Sequence, residues 1–181
     1  MSRQTGLTLI ELMIGVAIVA ILLTVGAPAI QTVLEQNKVI AAVNEISNAT
    51  RIARFTAVDQ EETTILCPSA NYKTCSGDWT QAKIVFADSN GNGSRDDDEP
   101  LLIATDPLSS NLAISGITGS LSFLADGSVS NAVTITLCPS SGDAKAASAV
   151  LVSLFGRVAI AVDNSGNDIK EALDGSDLSC S

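Results

Sequence analysis

Apolar residues crowd the start of the chain. Between Glu11 and Glu35 lie 23 positions without a charge, and about 20 apolar residues cross a bilayer as a helix. Arg3 is the only basic residue ahead of this run and Lys38 follows it, which favours a cytoplasmic N-terminus only weakly. Beyond residue 34 the pattern changes. Val39, Val43, Ile46, Ala53 and Ala57 recur at helical spacing, with Gln36, Asn37, Asn44, Asn48 and Arg51 opposite them. One helix over residues 7–58 would be about 78 Å long at 1.5 Å per residue. After residue 60, short runs rich in Val, Ile, Leu and Thr alternate with Gly, Asn, Asp, Ser and Pro. They predict strands near 63–67, 83–87, 101–105, 112–117, 121–124, 133–138 and 149–162. The Asp126-Gly127 pair reads as a hairpin turn. The expected fold class is α+β, with an antiparallel sheet packed on the second half of the long helix.

Composition narrows the function. Hydrophobic residues make up 46% of the chain but aromatics only 3%, so the head's core is aliphatic. Net charge is −10 and there is no histidine, which removes imidazole metal sites and imidazole acid–base chemistry. No nucleophile stands at a recognisable spacing from a base, and no glycine-rich phosphate loop is present. Cys67, Cys75, Cys138 and Cys180 all follow the apolar run. An even count there points to an oxidising compartment and two disulfides. Of the three connectivities, Cys67–Cys75 closes a short loop and Cys138–Cys180 ties down the C-terminus, and this pairing is expected.

A cleaved secretory signal and a plain signal anchor are the ordinary readings of the N-terminus. Glu11 counts against both. A charge near hydrocarbon costs about 2.5–3.5 kcal/mol, and the same helix offers it no cationic partner. A positive group from another chain, or an α-amine made by cleavage just upstream, would satisfy it. The stretch GLTLIELMIGVAIVAIL resembles the type IV prepilin signature, in which a Gly ends a short leader and a Glu stands five residues into the mature chain. The resemblance implies cleavage between Gly6 and Leu7 by a prepilin peptidase, N-methylation of Leu7, and pairing of Glu11 with a neighbouring subunit's first residue during assembly. Leu7 replaces the family's usual Phe. Pro28, just after Gly26, marks an expected helix kink; an ordinary tolerated kink in a membrane helix reads the same way.

The segment ILCPSANYKTCSGDWTQAKIVFADSNGNGSRDDDEPLL resembles H-type pseudopilins and related minor pilins. The shared features are Cys67, Cys75 before Trp79, the acidic loop 88–99 and the apolar run 101–103. The organisation implied is a leader at 1–6, a transmembrane or filament-core helix at 7–34, an amphipathic half at 35–59 and a β-rich periplasmic head at 60–181. The implied function is a minor pilin priming or capping a type IV pilus, or alternatively a minor pseudopilin of type II secretion. A DNA- or ligand-binding tip protein is the third reading. The implied place is the bacterial inner membrane, single-pass, with the head periplasmic, and then the filament tip. Implied partners are other minor and major pilins or pseudopilins, the prepilin peptidase and the inner-membrane assembly platform.

The acidic loop fits D-x-[DN]-x-[DN]-G-x₅-E. Asp88, Asn90, Asn92, Ser94, Asp96 and Glu99 would supply oxygens to calcium, and Gly93 the sharp turn. A solvated hairpin loop is the competing reading, and no cofactor is required. A second acidic stretch, 163–177, fits no ligand spacing and reads as a solvated tail. After Arg157 the chain carries one Lys against four Asp and one Glu, a composition that repels nucleic-acid phosphate.

Overall fold

A computed structural model describes residues 8–180; the side chains of residues 25–29 fall outside the described set. Helix α1 is assigned over Leu9–Gln60. The chain divides into two compact units, Met1–Leu34 and Glu35–Ser181.

In the first unit the described side chains of α1 are exposed, and nearly all are apolar, among them Leu9, Ile10, Leu12, Ile14 and Leu22. The helix assignment passes through Pro28 without a break. The expected kink lies on side chains outside the described residues.

In the second unit α1 is amphipathic. Val39, Val43, Ile46, Ala53 and Ala57 are all buried, joined by Ala42, Ala49 and Thr50, while Asn44, Asn48 and Arg51 face solvent. Thr50 sits in this apolar stripe because its hydroxyl donates back to the Ile46 carbonyl (2.7 Å). The helix ends at Glu61, whose φ of +54° takes the left-handed conformation that stops a helix.

Eight strands follow: β1 (Thr64–Pro68), β2 (Lys83–Ala87), β3 (Leu101–Ala104), β4 (Leu112–Ser115), β5 (Leu121–Phe123), β6 (Val133–Pro139), β7 (Ser148–Val152) and β8 (Val158–Ile160). They form two four-stranded antiparallel sheets, β3-β2-β1-β5 and β4-β6-β7-β8, where the sequence pattern suggested one. The helix stripe shares a single core with Leu66, Val85 and Phe123 of the first sheet and Ile135, Leu137, Val150 and Val152 of the second. Alternation sends the other side chains to the far faces. Ile65, Cys67, Ile84 and Phe86 pack together with Cys75. Cys138, Ala147, Ala149 and Ala161 pack under Leu178 and Cys180. Both β1 and β2 are therefore buried along their whole length.

The expected strand 149–162 is a hairpin, β7 and β8. Gly156 donates its N–H to the Ser153 carbonyl (2.8 Å) at φ +68°, which breaks the apolar run. At the Asp126-Gly127 turn, Gly127 N–H donates to the Leu124 carbonyl (2.7 Å) and Leu124 N–H to the Ser128 carbonyl (2.9 Å), and Phe123 pairs with Val129.

Candidate functional site

The helix begins at Thr8. Its hydroxyl accepts the Glu11 N–H (3.3 Å), and its carbonyl accepts the Leu12 N–H (3.2 Å). Thr8 and Glu11 thus stand three apart at a helix start, the spacing of a capping box. The sequence carried that signal in Thr8-Leu9-Ile10-Glu11, and reading Glu11 only as a charge in oil overlooked it. A carboxylate in the first turn also faces the positive end of the helix dipole. Glu11 itself is exposed and takes no part in the ion pairs among the described residues, which are Lys73–Asp97 and Lys145–Asp168. Gly6 and Leu7 lie outside the described residues. Among the described residues no helix is long and apolar enough to cross a membrane. The described apolar side chains run over 9–24 and resume at 30, and neither piece alone reaches about 20 residues.

In the head, Cys67 is bonded to Cys75 and Cys138 to Cys180, with Cα–Cα distances of 5.5 and 5.7 Å. The first bridge closes a loop organised by Asn71, whose Oδ1 accepts the N–H groups of Lys73 and Thr74 (2.9 Å each). Trp79, buried behind it, donates Nε1–H to the Gly119 carbonyl (2.9 Å). This explains the Cys-then-Trp motif as a packed joint between the first sheet and the 116–120 connection.

The disulfide loop is tied to the acidic loop. Lys73 Nζ reaches Asp97 Oδ1 at 2.6 Å, holding that carboxyl below the usual range, and Arg95 donates to the Tyr72 carbonyl (3.3 Å). Within the acidic loop, Asp88 accepts the N–H groups of Asn92 (3.1 Å) and Gly93 (2.9 Å). Glu99 accepts those of Ser89 (2.9 Å) and Asp96 (3.1 Å). The side-chain amides of Asn90 and Asn92 both donate to Asp96 Oδ2 (2.7 Å each), and Asn92 Oδ1 accepts the Ser94 N–H (2.7 Å). The six residues of the expected calcium set are thus gathered in one loop. Asp88 and Glu99 are buried there, and the loop's own N–H groups satisfy their oxygens. Among the described residues no group of three or more His, Cys, Asp or Glu is placed to hold a metal ion.

The stretch 163–177 is more ordered than a solvated tail. Glu171 is buried and accepts the N–H groups of Asn164 (2.8 Å) and Ser165 (2.9 Å), Asn164 first, which holds its carboxyl below the usual range. Asp163 accepts from Gly166 (2.7 Å) and Asp168 (2.9 Å), with the same effect and Gly166 leading. Lys170 Nζ donates to the Ala147 carbonyl (2.8 Å), and the Cys138–Cys180 bridge clamps the end of the segment. Lys170 is the one basic side chain of the stretch 163–177, and its contact with Ala147 directs it at the backbone.

An exposed apolar helix start continuing into a helix half buried under antiparallel sheets defines the class of pilin-like proteins. The fold is similar to the crystal structure of the type IV minor pilin FimU of Pseudomonas aeruginosa, at 18% identity and a TM-score of 0.53, covering 70% of this chain and 90% of that one. It is also similar to the minor pseudopilin EpsH of the Vibrio cholerae type 2 secretion system, at 12% identity and a TM-score of 0.51, covering 68% and 95%. The sequence matches the type II transport protein GspH family over residues 42–156 and the prokaryotic N-terminal methylation motif over residues 1–27. The chain belongs to the GspH family, and is a type IV minor pilin or pseudopilin. A comparison with curated proteins finds no significant relative.

Proposed function

We infer that this chain is a structural subunit, not an enzyme, and that it primes or caps a type IV pilus. One observation carries the reading. Glu11 is an exposed carboxylate at the start of an apolar helix, five positions beyond Gly6, within a methylation motif. A prepilin peptidase cuts the Gly6–Leu7 bond and methylates Leu7. The subunit waits in the inner membrane with its head in the periplasm, where its disulfides form. It then joins other minor and major pilins at the assembly platform, with Glu11 against a neighbour's N-terminus. The match to the type II transport protein family favours a second reading, a minor pseudopilin of type II secretion.

Mass spectrometry of the chain from its native cells tests the core of this. The expected N-terminus is N-methylated Leu7, and Gly6→Ala leaves a heavier, uncut chain. An intact Met1 in native material overturns the proposal. Deleting the gene then separates the two machines: loss of piliation and twitching marks the pilus, loss of exoprotein release the secretion system.

A further inference from the structure

The head is acidic, yet three of the chain's five arginines line one groove. Arg51 and Arg54 come from successive turns of α1 and Arg157 from the β7–β8 turn; with Phe55, Val58 and Phe155 they enclose about 630 Å³. The turn is locked against the helix. Arg54 Nε donates to the Gly127 carbonyl (3.2 Å), Val129 N–H donates to the Leu154 carbonyl (3.0 Å), and Gly156 lies directly on Gly127.

Two features of this groove are unused by the fold. Among the described residues, the guanidinium groups of Arg51 and Arg157 make no hydrogen bond or ion pair, the ion pairs there being Lys73–Asp97 and Lys145–Asp168. Phe55 is 68% exposed and Phe155 84%, whereas the chain's other two phenylalanines, Phe86 and Phe123, are fully buried. Aromatic and arginine side chains left open together are what interface cores draw on. The charge selects the occupant. Unpaired arginines call for carboxylates or phosphates. Asp59 and Asp126 stand next in sequence to Val58 and Gly127, so a phosphate polymer crossing the groove would meet like charge on leaving it. A short segment carrying one or two carboxylates would not.

We propose that this groove docks a short acidic segment, with one apolar side chain, from the head of another pilin-like subunit. Its carboxylates pair with Arg51 and Arg157, and its apolar residue lies between Phe55 and Phe155. The proposal rests on the reading of the chain as a filament subunit.

The test places a photoreactive benzophenone amino acid at position 155 of the full-length chain in its native cells. Membrane and sheared-filament fractions are irradiated separately and the adducts sequenced. The expected adduct joins position 155 to an Asp- or Glu-bearing peptide of a different chain with its own prepilin signature. Arg51→Glu with Arg157→Glu lowers its yield by about tenfold or more, while Arg51→Lys with Arg157→Lys keeps most of it, and membrane levels of the chain stay unchanged. The proposal is overturned by no adduct in either fraction, by an adduct to a second copy, to lipid or to nucleic acid, or by a yield indifferent to the charge reversal. A chain present in filaments without the adduct sinks the groove and leaves the subunit reading intact. The expected adduct in membranes, with no chain in filaments, does the reverse.

Discussion

Replacing Gly156 by alanine should damage the head more than its place on an exposed turn suggests. At φ +68° an L-residue is strained by about 1–2 kcal/mol. The added Cβ would also fall inside the van der Waals shell of the Gly127 carbonyl oxygen and lie 2.9 Å from Arg54 Nε. The first of these is backbone and cannot swing away, so the β7–β8 turn must lift from α1, at a further cost of about 1–3 kcal/mol. The total is about 2–5 kcal/mol. Gly166→Ala is the control. Its φ is +78°, and a Cβ there meets nothing within 4 Å, so it carries the strain without the collision. The two substitutions share the same gain from a stiffer unfolded chain, and the difference between them isolates the steric part. Urea unfolding of the head, residues 35–181, followed by circular dichroism, should place Gly156→Ala about 1–3 kcal/mol below Gly166→Ala. Equal midpoints, within about 0.5 kcal/mol, would refute the packing of the turn against the helix.

Three further outcomes follow. The Cys138–Cys180 bridge spans 42 residues and Cys67–Cys75 spans 8, so loop-closure entropy predicts losses of about 4 and about 2.5 kcal/mol when each pair becomes alanine; the reverse order in urea melts would show that the short bridge matters for something else. Glu171 ionises below its ordinary value of 4.5 because amide N–H groups hold the anion; the folded state therefore binds fewer protons, so the stability it lends is complete above about pH 4.5 and is lost as acidification passes the lower folded value. Melting temperature should fall from about pH 5 to pH 3, and less steeply in Glu171→Gln; equal slopes would refute it. Asp88 and Glu99 already hold loop N–H groups, so about 1 mM calcium should give neither heat nor a rise in melting temperature; both together would assign the loop as a calcium site.

What was legible in the sequence was local or periodic. The five-residue stripe from Val39 to Ala57 is buried as its spacing demands, because a 3.6-residue period needs only one face to be covered. Strands β1, β2 and β6 begin and end within one residue of where their apolar runs do. Pairing across the chain was not legible. Nothing in the runs says that β1 lies between β2 and β5 while β6 lies between β4 and β7, so one sheet was expected where two form. The run 149–162 looked continuous because Leu154 and Phe155 are apolar, yet both are exposed at a turn that Gly156 permits. The acidic stretch 163–177 looked solvated because burial of Glu171 depends on N–H groups, which leave no trace in side-chain composition. The arginine–phenylalanine groove was hidden for the same kind of reason: residues 51–58 and 155–158 are distant in the chain and come together beside Gly127 and Gly156.

Glu11 remains the residue on which two physical explanations converge, and they can be separated. In one, its charge seeks an amine on another subunit. In the other, its side chain completes the cap that Thr8 begins, a local matter of about 0.5–2 kcal/mol. Gln serves in a capping box as well as Glu does but cannot form an ion pair. If charge is the requirement, Glu11→Gln and Glu11→Ala should both be cut, inserted and then left behind in the membrane when filaments are sheared off. If capping is the requirement, Glu11→Gln should enter filaments normally and Thr8→Ala should fail as Glu11→Ala does. The first pattern is expected, because a carboxylate near hydrocarbon costs about 2.5–3.5 kcal/mol on insertion scales, more than a cap usually returns. Normal filament entry by Glu11→Gln, measured by immunoblot of the sheared fraction against the membrane fraction, would remove the assembly role and leave the cap.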